Sequence, residues 1–494
     1  MLQMTEVIKI RRKVLLELAR LTWEGSLSQN ISEIADTIVT SDGPRYRCCV
    51  HKERAVLKDR IKLGLAQPLD VTIAEAAEAA LKGTIADMPI VNIMPEACDQ
   101  CPIDKFLVTN ACRNCVAHNC IASCPKNAIT VVQNQAYIDK SRCIECGLCK
   151  KSCLYGAIVE ISRPCERACE LGAIKSDKER RAAIDYDKCV QCGGCKAACP
   201  FGAINEQSYI VQVIQAIKSK RPVYAMLAPA FISQLGIKVK PFQVFAALKS
   251  IGFTDVSEVA LGADVVTLAE AEEFLHAVPG QQSYMTTSCC PAFVDMVGKH
   301  LPESRANVST TPSPMVVMGQ MIKEQHPDAV VVFVGPCIAK KAEARKNKEY
   351  IDYVLTFEEL ATMLANINLT AFAEEQTQSE GSQTGILFAR AGGVSGAVVK
   401  VLQEKEQLDK LKAVRAEGLE ECYKMLKEIG EGKRDANFME GMACTGGCVG
   451  GPGVLADSRV SGKMVENFAV QNALADTAPE NEKAVQRHEV LKHK

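Results

Sequence analysis

The sequence lacks several features that would each assign it to a particular class of protein. It has no run of about 18 apolar residues, which argues against a transmembrane helix. It has no long basic block, and its net charge is −1, so nothing indicates a nucleic acid or a membrane surface as partner. Its start, MLQMTEVIKIRRKVLLELARL, predicts an amphipathic helix rather than a signal peptide, because charges recur through the apolar part. We therefore expect a cytoplasmic protein.

Cysteine, by contrast, is abundant: the 494 residues include 24 of them. Without a secretory signal, this density indicates metal or redox chemistry rather than disulfides. Sixteen lie between Cys98 and Cys199, and five more fall in three short motifs of the second half. Cys48, Cys49 and Cys422 stand apart. Cys48 and Cys49 have no further ligands nearby in the sequence, which favours unligated thiols.

The dense region contains two strong motifs, CIECGLCKKSC and CVQCGGCKAACP. Each has the spacing C-x2-C-x2-C-x3-C of 4Fe-4S proteins, in which three thiolates hold one cube and the fourth reaches its neighbour. Two degenerate partners precede them, ACRNCVAHNCIASCP and RPCERACELGAI. The crossing rule predicts three ligand sets: Cys124, Cys143, Cys146 and Cys149; Cys112, Cys115, Cys120 and Cys153; and Cys169, Cys189, Cys192 and Cys195.

A fourth set is a hypothesis that rests on arithmetic. Cys165 and Cys199 need two more ligands, and Cys98 and Cys101 of ACDQCP supply them. We therefore expect three to four accessory 4Fe-4S clusters. Zinc is the alternative, since C-x2-C pairs also build zinc ribbons, but zinc sites do not require a third thiolate three residues further on. The recurrence of GAI in LYGAI, ELGAI and PFGAI, with PKNAI as a near match, is typical of repeated ferredoxin units.

The chain divides by composition into five parts. Residues 1–95 predict a helical region, with segments such as TIAEAAEAALKG ending at a glycine cap. Residues 96–158 and 159–206 predict two ferredoxin-like units. From 207 to 473, β-branched runs such as RPVYAMLAPA and DAVVVFVGPC alternate with helical segments such as FQVFAALKSIG, which predicts α/β layers. Residues 474–494 predict a charged, solvated or frayed tail.

Three motifs of the α/β part contain five cysteines. They are TSCCPAF with Cys289 and Cys290, GPCIAKKAEA with Cys337, and MACTGGCVGGPG with Cys444 and Cys448. Four of the five would hold one more cube, and the glycine pairs let the backbone approach it closely. Buried free cysteines are the alternative. If four of these cysteines bind a cube, the fifth is left without a metal. The neighbouring pair Cys289 and Cys290 therefore raises the question of what the additional thiol does.

These three motifs resemble the signature motifs of the iron-only (FeFe) hydrogenases, over roughly residues 207–473, and the ferredoxin-type region extends the resemblance to 98. The resemblance implies α+β ferredoxin-like iron–sulfur domains followed by an α/β catalytic domain. It also implies an H-cluster, which is a 4Fe-4S cube joined to a two-iron unit with CO, cyanide and a dithiolate amine. The expected activity is the reversible reduction of protons to H2.

The resemblance also implies roles for particular residues. Cys290, Cys337, Cys444 and Cys448 would ligate the cube, with Cys448 bridging to the two-iron unit, and Cys289 would donate and accept protons. A thiol suits this role because its ordinary pKa, about 8.5, lies close to neutral pH. Other expected roles are a proton relay and contacts to the two-iron unit: Glu270, Ser309 and Glu273 for the relay, and Lys340, Ala228, Pro229 and Met442 for the contacts.

Each of these roles has a plainer alternative. Glu270 and Glu273 lie three residues apart, as one helical face requires, but an ordinary exposed acidic helix has the same spacing. Lys340 could equally be a solvated lysine of KKAEARKNK. The sequence also departs from the best-known family pattern, with Gly335 in place of a methionine, PAF in place of Pro-Gly-Trp and GGPG in place of a triple glycine. It therefore resembles a second clostridial-type subgroup.

Two other functions share this fold or these motifs: an iron–sulfur assembly factor without a two-iron centre, and a polyferredoxin electron carrier. The hydrogenase is favoured because Cys289, Lys340 and the relay positions are present, and a scaffold does not need proton transfer. The implied partners are H2 and protons, a ferredoxin or flavodoxin, and the maturation enzymes that build the two-iron unit. No nucleic acid or membrane is expected as a partner.

Overall fold

The computed structural model describes residues 4–99, 101, 105–177, 181–374, 376 and 378–492. The α-helices of these residues are α1 (Glu6–Glu24), α2 (Leu27–Asn30), α3 (Ile34–Ile38), α4 (Val50–Gly64), α5 (Ile73–Leu81), α6 (Asn119–Ala122), α7 (Leu148–Ser152), α8 (Pro164–Arg167), α9 (Gly194–Ala198), α10 (Ile210–Lys218), α11 (Pro241–Ser250), α12 (Val259–Ala277), α13 (Pro291–His300), α14 (Pro314–Gln325), α15 (Ala339–Lys346), α16 (Phe357–Met363), α17 (Gln383–Leu387), α18 (Gly393–Glu404), α19 (Leu419–Gly430), α20 (Ser458–Asn472) and α21 (Glu482–Lys492). The β-strands are β1 (Val91–Ile93), β2 (Phe106–Val108), β3 (Ile129–Val132), β4 (Gln135–Ile138), β5 (Ile158–Glu160), β6 (Ile174–Ser176), β7 (Ala182–Ile184), β8 (Ile204–Glu206), β9 (Val223–Leu227), β10 (Asp255–Glu258), β11 (Met285–Thr286), β12 (Val330–Gly335), β13 (Tyr353–Thr356), β14 (Ala413–Glu417) and β15 (Phe438–Met442).

The second half of the chain is built on two parallel sheets with mixed α/β layering. One has the strand order β10-β9-β12-β13, and the other has the order β11-β15-β14. Strand β12, with the sequence VVVFVG, is buried at every position, as expected for a parallel strand covered on both faces. The predicted strands of RPVYAMLAPA and DAVVVFVGPC are confirmed as β9 and β12, and the predicted helix of FQVFAALKSIG is confirmed as α11.

Helix α12 lies inside the second half and packs against α14, α17, α18 and α21. Apolar residues occur all around it, which is the pattern of a helix covered on every side. Phe274 is fully buried on this helix and meets the ring of Phe438 edge-on, with the ring centroids 5.7 Å apart. Among the described residues, no helix combines the length and the apolar character needed to cross a bilayer.

The prediction of a solvated or frayed tail is wrong for residues 482–492, which form α21 against α12. Ala484 is fully buried between the two helices. The Nδ2 atom of Asn481 donates to Oδ2 of the buried Asp264 at 2.8 Å, just before the helix begins. Charge along the segment suggested solvent, but His488 is buried as well as Ala484, and its Nε2 atom lies 3.3 Å from Glu272 Oε2 of α12.

The cysteine-rich region forms two units of similar topology. The inner cysteine unit, residues 105–161, pairs β2 with β5 and β3 with β4, all antiparallel. The outer cysteine unit, residues 91–99, 101, 162–177 and 181–206, pairs β1 with β8 and β6 with β7 in the same way. Strand β1 therefore belongs with strands more than 80 residues further along the chain, and the inner unit is inserted into the outer one. The domain boundaries drawn from the sequence stay a prediction.

The first part of the chain is helical, as predicted. Helix α1 packs against α4, α10 and α16, so its apolar face joins the core of the four-stranded sheet. Helix α5 begins with a capping box, in which the side chains of Thr72 and Glu75 each accept a hydrogen bond from the other's backbone N–H. Gly83 follows its end with φ of 79°, which agrees with the predicted glycine cap.

Candidate metal and proton-transfer site

The inner cysteine unit brings its eight cysteines into two groups. Cys124, Cys143, Cys146 and Cys149 line one small cavity together with apolar side chains. In the second group, burial raises the pKa of Cys120, and the thiolates of Cys153 and Cys112 raise it further. Cys115 lies on the same loop, half-buried between Cys112 and Cys120. These groups correspond to two of the ligand sets predicted from the sequence.

The outer cysteine unit repeats this grouping. Burial raises the pKa of Cys195, and the thiolates that raise it further are, in order, Cys192, Cys189 and Cys169. Burial also raises the pKa of Cys165 to about 11, with further contributions from Cys199, Cys101 and Cys98. The four cysteines of the set predicted by arithmetic are therefore neighbours, although Cys98 and Cys165 are separated in the chain by the whole inner unit.

Backbone N–H groups point at the sulfur atoms in a pattern that repeats with the sequence motif. The alanine of each GAI or NAI triplet donates to the cysteine four residues before it, at 3.2 to 3.4 Å. The sulfur acceptors are Cys124, Cys153, Cys169 and Cys199. The residue directly before each of these alanines has φ between 48° and 62°, which explains glycine in three copies and asparagine in the fourth. Such donors stabilise thiolate and cluster charge.

The units also match in two other N–H···S contacts. Ala136 donates to Cys112 in the inner unit, and Ala182 donates to Cys98 in the outer unit, both at 3.4 Å. Glu145 and Gln191 likewise donate to Cys143 and Cys189. Cys98 is thus the structural counterpart of Cys112, which is a relation that the spacing of the sequence does not show.

The five cysteines of the second half meet where strands of both parallel sheets end. Cys289 and Cys290 follow β11, Cys337 follows β12, and Cys444 and Cys448 follow β15. This is the edge at which ligands bind in open α/β sheets. Burial raises the pKa of Cys337 to about 12, and the neighbouring thiolates of Cys290 and Cys448 raise it further. The pKa of Cys444 is also raised, mainly by burial and further by the thiolates of Cys337, Cys290 and Cys448.

Close backbone approach shapes the loop that carries Cys444 and Cys448. Gly447 has φ of 81°, and a Cβ on this residue would lie 2.4 Å from the backbone nitrogen of Ala391. Only glycine fits there. A cavity of about 1250 Å³ borders Cys444 and also reaches Cys192 and Cys199 of the outer unit. The two sets of cysteines therefore face one space.

The surroundings of Cys289 include a carboxylate and an ammonium, from Glu270 and Lys340. Cys289 is buried, and burial raises the pKa of its thiol well above the ordinary value, with further contributions from Glu270 and Cys290. The ammonium of Lys340 donates to the Cys289 carbonyl at 3.1 Å and to Ser313 Oγ at 2.9 Å. Lys340 is buried, so the alternative of a solvated lysine is wrong.

The charge of Lys340 has a partner on its own helix. Its Nζ atom lies 2.7 Å from Glu343 Oε2. Burial alone would lower the pKa of Lys340, but the carboxylate of Glu343 and the thiolate of Cys337 raise it overall. The ammonium therefore stays charged beside the cysteines.

A chain of hydrogen bonds leads from Glu273 towards Cys289. Ser309 Oγ donates to Glu273 Oε2 at 2.6 Å, and the Ser309 hydroxyl also contacts Glu270. Glu270 Oε1 accepts from the backbone N–H of Ser288 at 3.0 Å and from its hydroxyl at 3.3 Å. Burial raises the pKa of Glu270 to about 7, against the hydrogen bond from Ser288 and assisted by Glu273. The alternative of an exposed acidic helix is therefore wrong for Glu270, which is fully buried.

The remaining predicted residues lie at the ends of strands β9 and β15. Ala228 and Pro229 follow β9 at the same edge of the four-stranded sheet, and Ala228 N donates to Val334 O at 2.9 Å. Met442 is the last residue of β15 and is buried.

Two of the departures from the family pattern have a packing explanation. A Cβ on Gly335 would lie 2.5 Å from the ring of Phe333, so that ring fills the space of a side chain at 335. The ring of Phe293, from the PAF segment, would lie 2.3 Å from a Cβ on Gly441. In both places the absence of a side chain on the glycine leaves room for the aromatic ring.

Sequence reasoning missed three residues of this site. Ser288 precedes Cys289 directly in TTSCCP and links it to Glu270. Ser313 holds Lys340. Glu440 is buried two residues before Met442 and accepts hydrogen bonds from Gly392 N and Ser395 N, both at 2.7 Å. Ser288 could have been found from its position beside the cysteine pair, whereas the other two depend on contacts between distant segments.

Within the described residues, no group of three or more His, Cys, Asp or Glu side chains converges closely enough to hold a single metal ion. The sulfur atoms of a 4Fe-4S site need not converge in this way, because each thiolate binds a different iron atom.

Comparison with known proteins places these features in a family. Residues 221–452 match the profile of the iron only hydrogenase large subunit, C-terminal domain, and residues 159–210 match the LdpA Fe-S cluster-binding domain. The chain is 27% identical to Iron hydrogenase 1 of Clostridium pasteurianum over 304 residues, which are 50% of this chain and 53% of that protein. It thus spans about half the length of that relative.

A second relative is matched over more of its length. The chain is 30% identical to the periplasmic Fe hydrogenase large subunit of Nitratidesulfovibrio vulgaris over 332 residues, which are 54% of this chain and 79% of that protein. A solved structure of a HydA1 FeFe-hydrogenase variant from Chlamydomonas reinhardtii aligns with a TM-score of 0.46 and 21% identity, over 55% of this chain and 89% of that one. By its match to the N. vulgaris subunit, the chain belongs to the iron-only hydrogenase family.

Proposed function

We propose that this chain is a hydrogenase that reversibly reduces protons to H2 at an H-cluster, with electrons that arrive from a ferredoxin or flavodoxin through a series of 4Fe-4S clusters. One observation carries the proposal. Cys289 is a buried thiol beside four other cysteines, and a chain of hydrogen-bonded hydroxyls and carboxylates leads towards it as far as Glu270, which accepts from the backbone N–H of the preceding residue, Ser288.

The four other cysteines fit the cube of the H-cluster. Cys290, Cys337, Cys444 and Cys448 are mutual neighbours, and backbone N–H groups of Ala443, Phe293 and Ala292 lower the pKa of Cys290 against the effect of burial. Four neighbouring, largely desolvated thiolates repel one another unless metal cations separate them. Cys448 is the bridging ligand in this proposal.

When bound, the two-iron unit supplies the metal centre at which protons and electrons combine. Residues of the chain would hold and shield it: the Lys340 ammonium offers donors to a cyanide ligand, while Ala228, Pro229 and Met442 form apolar walls that exclude water. Lys340 is fixed for this task by Ser313 and by the carbonyl of Cys289.

The proton route uses Glu273, Ser309, Glu270 and Cys289 in that order from the surface. Glu273 is half-buried, whereas Glu270 is fully buried, so the route runs inward. The Glu270 Oε2 atom makes no hydrogen bond within the described residues, which leaves it available to receive a proton. Ser288, which bonds to Glu270 and directly precedes Cys289, keeps the carboxyl beside the thiol.

Electron transfer uses up to four accessory clusters, held by the four groups of cysteines in the two units. In each unit two antiparallel strand pairs flank two short helices that pack together, α6 with α7 or α8 with α9, and this supports the proposal of ferredoxin-like units. Cys192 lies close enough to Cys444 to raise its pKa, after burial and the nearer thiolates. The cluster of Cys169, Cys189, Cys192 and Cys195 would therefore be the last before the H-cluster.

The test is H2 evolution from a reduced dye, measured on the chain produced with and without hydrogenase maturation enzymes. We expect H2 only from the matured protein, with the cubane content equal in both. Matured protein that carries its full complement of iron and still evolves no H2 would contradict the proposal, and would leave the chain as an electron carrier or assembly factor.

A further inference from the structure

Two buried arginines of the helical N-terminal region reach the outer cysteine unit. Arg60, on α4, donates from Nη2 to Gly202 O at 2.8 Å. Arg47, just before α4, donates from Nη2 to Phe201 O at 3.2 Å and to Ala97 O at 3.3 Å. Phe201 and Gly202 belong to the loop after Cys199, and Ala97 precedes Cys98. The two arginines therefore bind two of the segments that carry this group of cysteines, the one before Cys98 and the one after Cys199.

Arg47 and Arg60 differ in how their charges are balanced. Arg47 is paired with Asp99 at 2.7 Å, and nearby Lys52 is paired with Glu96 at 2.6 Å. Arg60 bonds only to neutral oxygens: Gly202 O and, with the Asn205 amide turned to face it, the side-chain oxygen of Asn205 at 3.1 Å from Nε. Within the described residues, no salt bridge involves Arg60. It is 5% exposed.

An unpaired cation in such a place is unfavourable unless an anion lies nearby. Burial lowers the pKa of Arg60 to about 10, and the charges of Arg11 and Arg47 lower it further, while the Cys199 thiolate and Glu358 act in the opposite direction. Glu358 is already shared among Arg11, Arg12 and Lys196. Of the two anions that act on Arg60, Glu358 is therefore already paired with other cations, which leaves the Cys199 sulfur as the counter-charge of Arg60.

The other charges that face this group of cysteines are few. Burial and the Cys98 thiolate raise the pKa of Cys101. The charge of Arg163 opposes this rise, and the carboxylate of Glu166 adds to it. Lys196 lies on α9 and is held by Glu206 at 2.5 Å. Lys196 is thus paired with a carboxylate, whereas Arg60 has no salt bridge within the described residues.

We propose that Arg60 is the counter-charge of a 4Fe-4S cluster held by Cys98, Cys101, Cys165 and Cys199, and that it raises the reduction potential of this cluster. The inference rests on the proposed function, in which each of the four groups of cysteines holds one accessory cluster. A cluster held by four thiolates is an anion, and its one-electron reduction adds negative charge, which burial disfavours and a fixed cation favours. The helical N-terminal region would then have an electrostatic task in electron transfer.

The inner cysteine unit provides an internal comparison. Its loop after Cys153 corresponds to the loop after Cys199, but Leu154 and Tyr155 are 87% and 59% exposed there, so solvent takes the place of the arginines. The inner unit also contains an exposed arginine with the same kind of contact. Arg142 donates from Nη2 to Lys126 O at 3.2 Å, in the loop after Cys124. Arg142 is therefore a matched control for Arg60.

The experiment is a potentiometric titration of the full-length, anaerobically prepared protein, followed by electron paramagnetic resonance of the reduced clusters. The signal of the cluster in question is the one that disappears in Cys165→Ala together with one cluster's iron. We expect Arg60→Gln to shift the midpoint potential of that signal to a more negative value. Arg60→Lys, which keeps the charge, and Arg142→Gln should leave it at the wild-type value.

An unchanged midpoint in Arg60→Gln with wild-type iron content would overturn the inference. If Arg60→Gln loses the cluster altogether, Arg60→Lys decides: a retained cluster at the wild-type potential supports the role of the charge, and loss in both variants overturns it. None of these readings depends on H2 production. Failure of the hydrogenase proposal would appear as matured wild-type protein without activity, which is a separate result.

Discussion

Glu270 accepts a hydrogen bond from the backbone N–H of Ser288 at 3.0 Å, and this joins a fully buried carboxyl to the residue directly before Cys289. The contact connects α12 to the loop after β11, which are separate parts of the second half of the chain. Under the proposed function it gives the two neighbouring cysteines separate roles: Cys290 would ligate the cube, while Cys289, directly after Ser288, would exchange protons with Glu270.

Replacing Glu270 by Gln removes a group that can take up and release a proton but keeps its size. We expect H2 turnover to fall by roughly 10² or more, because a positioned acid–base group contributes about that much. Iron content should not change. The measurement is H2 evolution alongside an iron assay, and wild-type turnover in this variant would exclude Glu270 from the route.

Ser309→Ala should interrupt the relay at its hydroxyl. Ser309 Oγ contacts both carboxylates, whereas Ser304, in the same segment, accepts from the hydroxyl of Tyr284 at 3.0 Å and touches neither. Ser304→Ala is therefore the control. We expect turnover to fall on the order of 10²-fold in Ser309→Ala only. Equal losses in both variants would indicate that the segment matters for packing rather than for proton transfer.

Cys289→Ala should abolish most turnover, by about 10²- to 10⁴-fold, while the H-cluster still assembles. Cys422 offers the matched control, since it is also a buried thiol of the second half, and its Sγ donates to the carbonyls of Ala416 and Met442 at 3.4 and 3.5 Å. Cys422→Ala should keep its activity. The prediction fails if Cys289→Ala evolves H2 at the wild-type rate.

Lys340→Met should weaken retention of the two-iron unit without loss of the cube. The reason is that the methionine keeps the side-chain length but has no N–H donors. Lys346→Met is the control, because Lys346 lies on the same helix, is exposed, and pairs with Asp295 at 2.8 Å. Infrared bands of metal-bound cyanide and CO should be weaker in Lys340→Met alone. Bands of full intensity in that variant would show that the ammonium is not needed.

Stability should depend on pH through Glu258, whose pKa burial raises to about 7 against hydrogen bonds from Ser379 and Glu380. Because the folded pKa lies above the unfolded value, the folded state holds the proton more tightly, and this stabilisation is lost as pH rises from about 4.5 to 7. Glu258→Gln cannot ionise. We therefore expect its melting temperature, relative to the wild type, to be higher at pH 8 than at pH 5.5. A difference that does not vary with pH would contradict this assignment.

The sequence predicts well what short-range spacing determines. The motif C-x2-C-x2-C-x3-C and the crossing rule define groups such as Cys124, Cys143, Cys146 and Cys149, which line one cavity in the structure. Strands β9 and β12 follow from β-branched runs, and the end of β12 locates Cys337 at the sheet edge. In these places the local sequence is sufficient to predict the structure.

Contacts between distant segments could not be predicted in the same way. The pairing of β1 with β8 brings Cys98 to Cys199 across an inserted unit, and only a count of unpaired ligands suggested it. The tail was expected in solvent because its charges dominate its composition, but Ala484 is buried against α12. The role of Arg60 could not be predicted, because nothing near it in the sequence identifies the loop after Cys199 as its partner.

The central claim, that this chain holds an H-cluster, is tested most directly by an infrared spectrum of the anaerobically matured protein, with H2 evolution measured on the same sample. We expect bands of metal-bound CO and cyanide together with H2. Fully loaded 4Fe-4S clusters without those bands would contradict the account, and the interpretation of Cys289 as the proton donor would be lost with it.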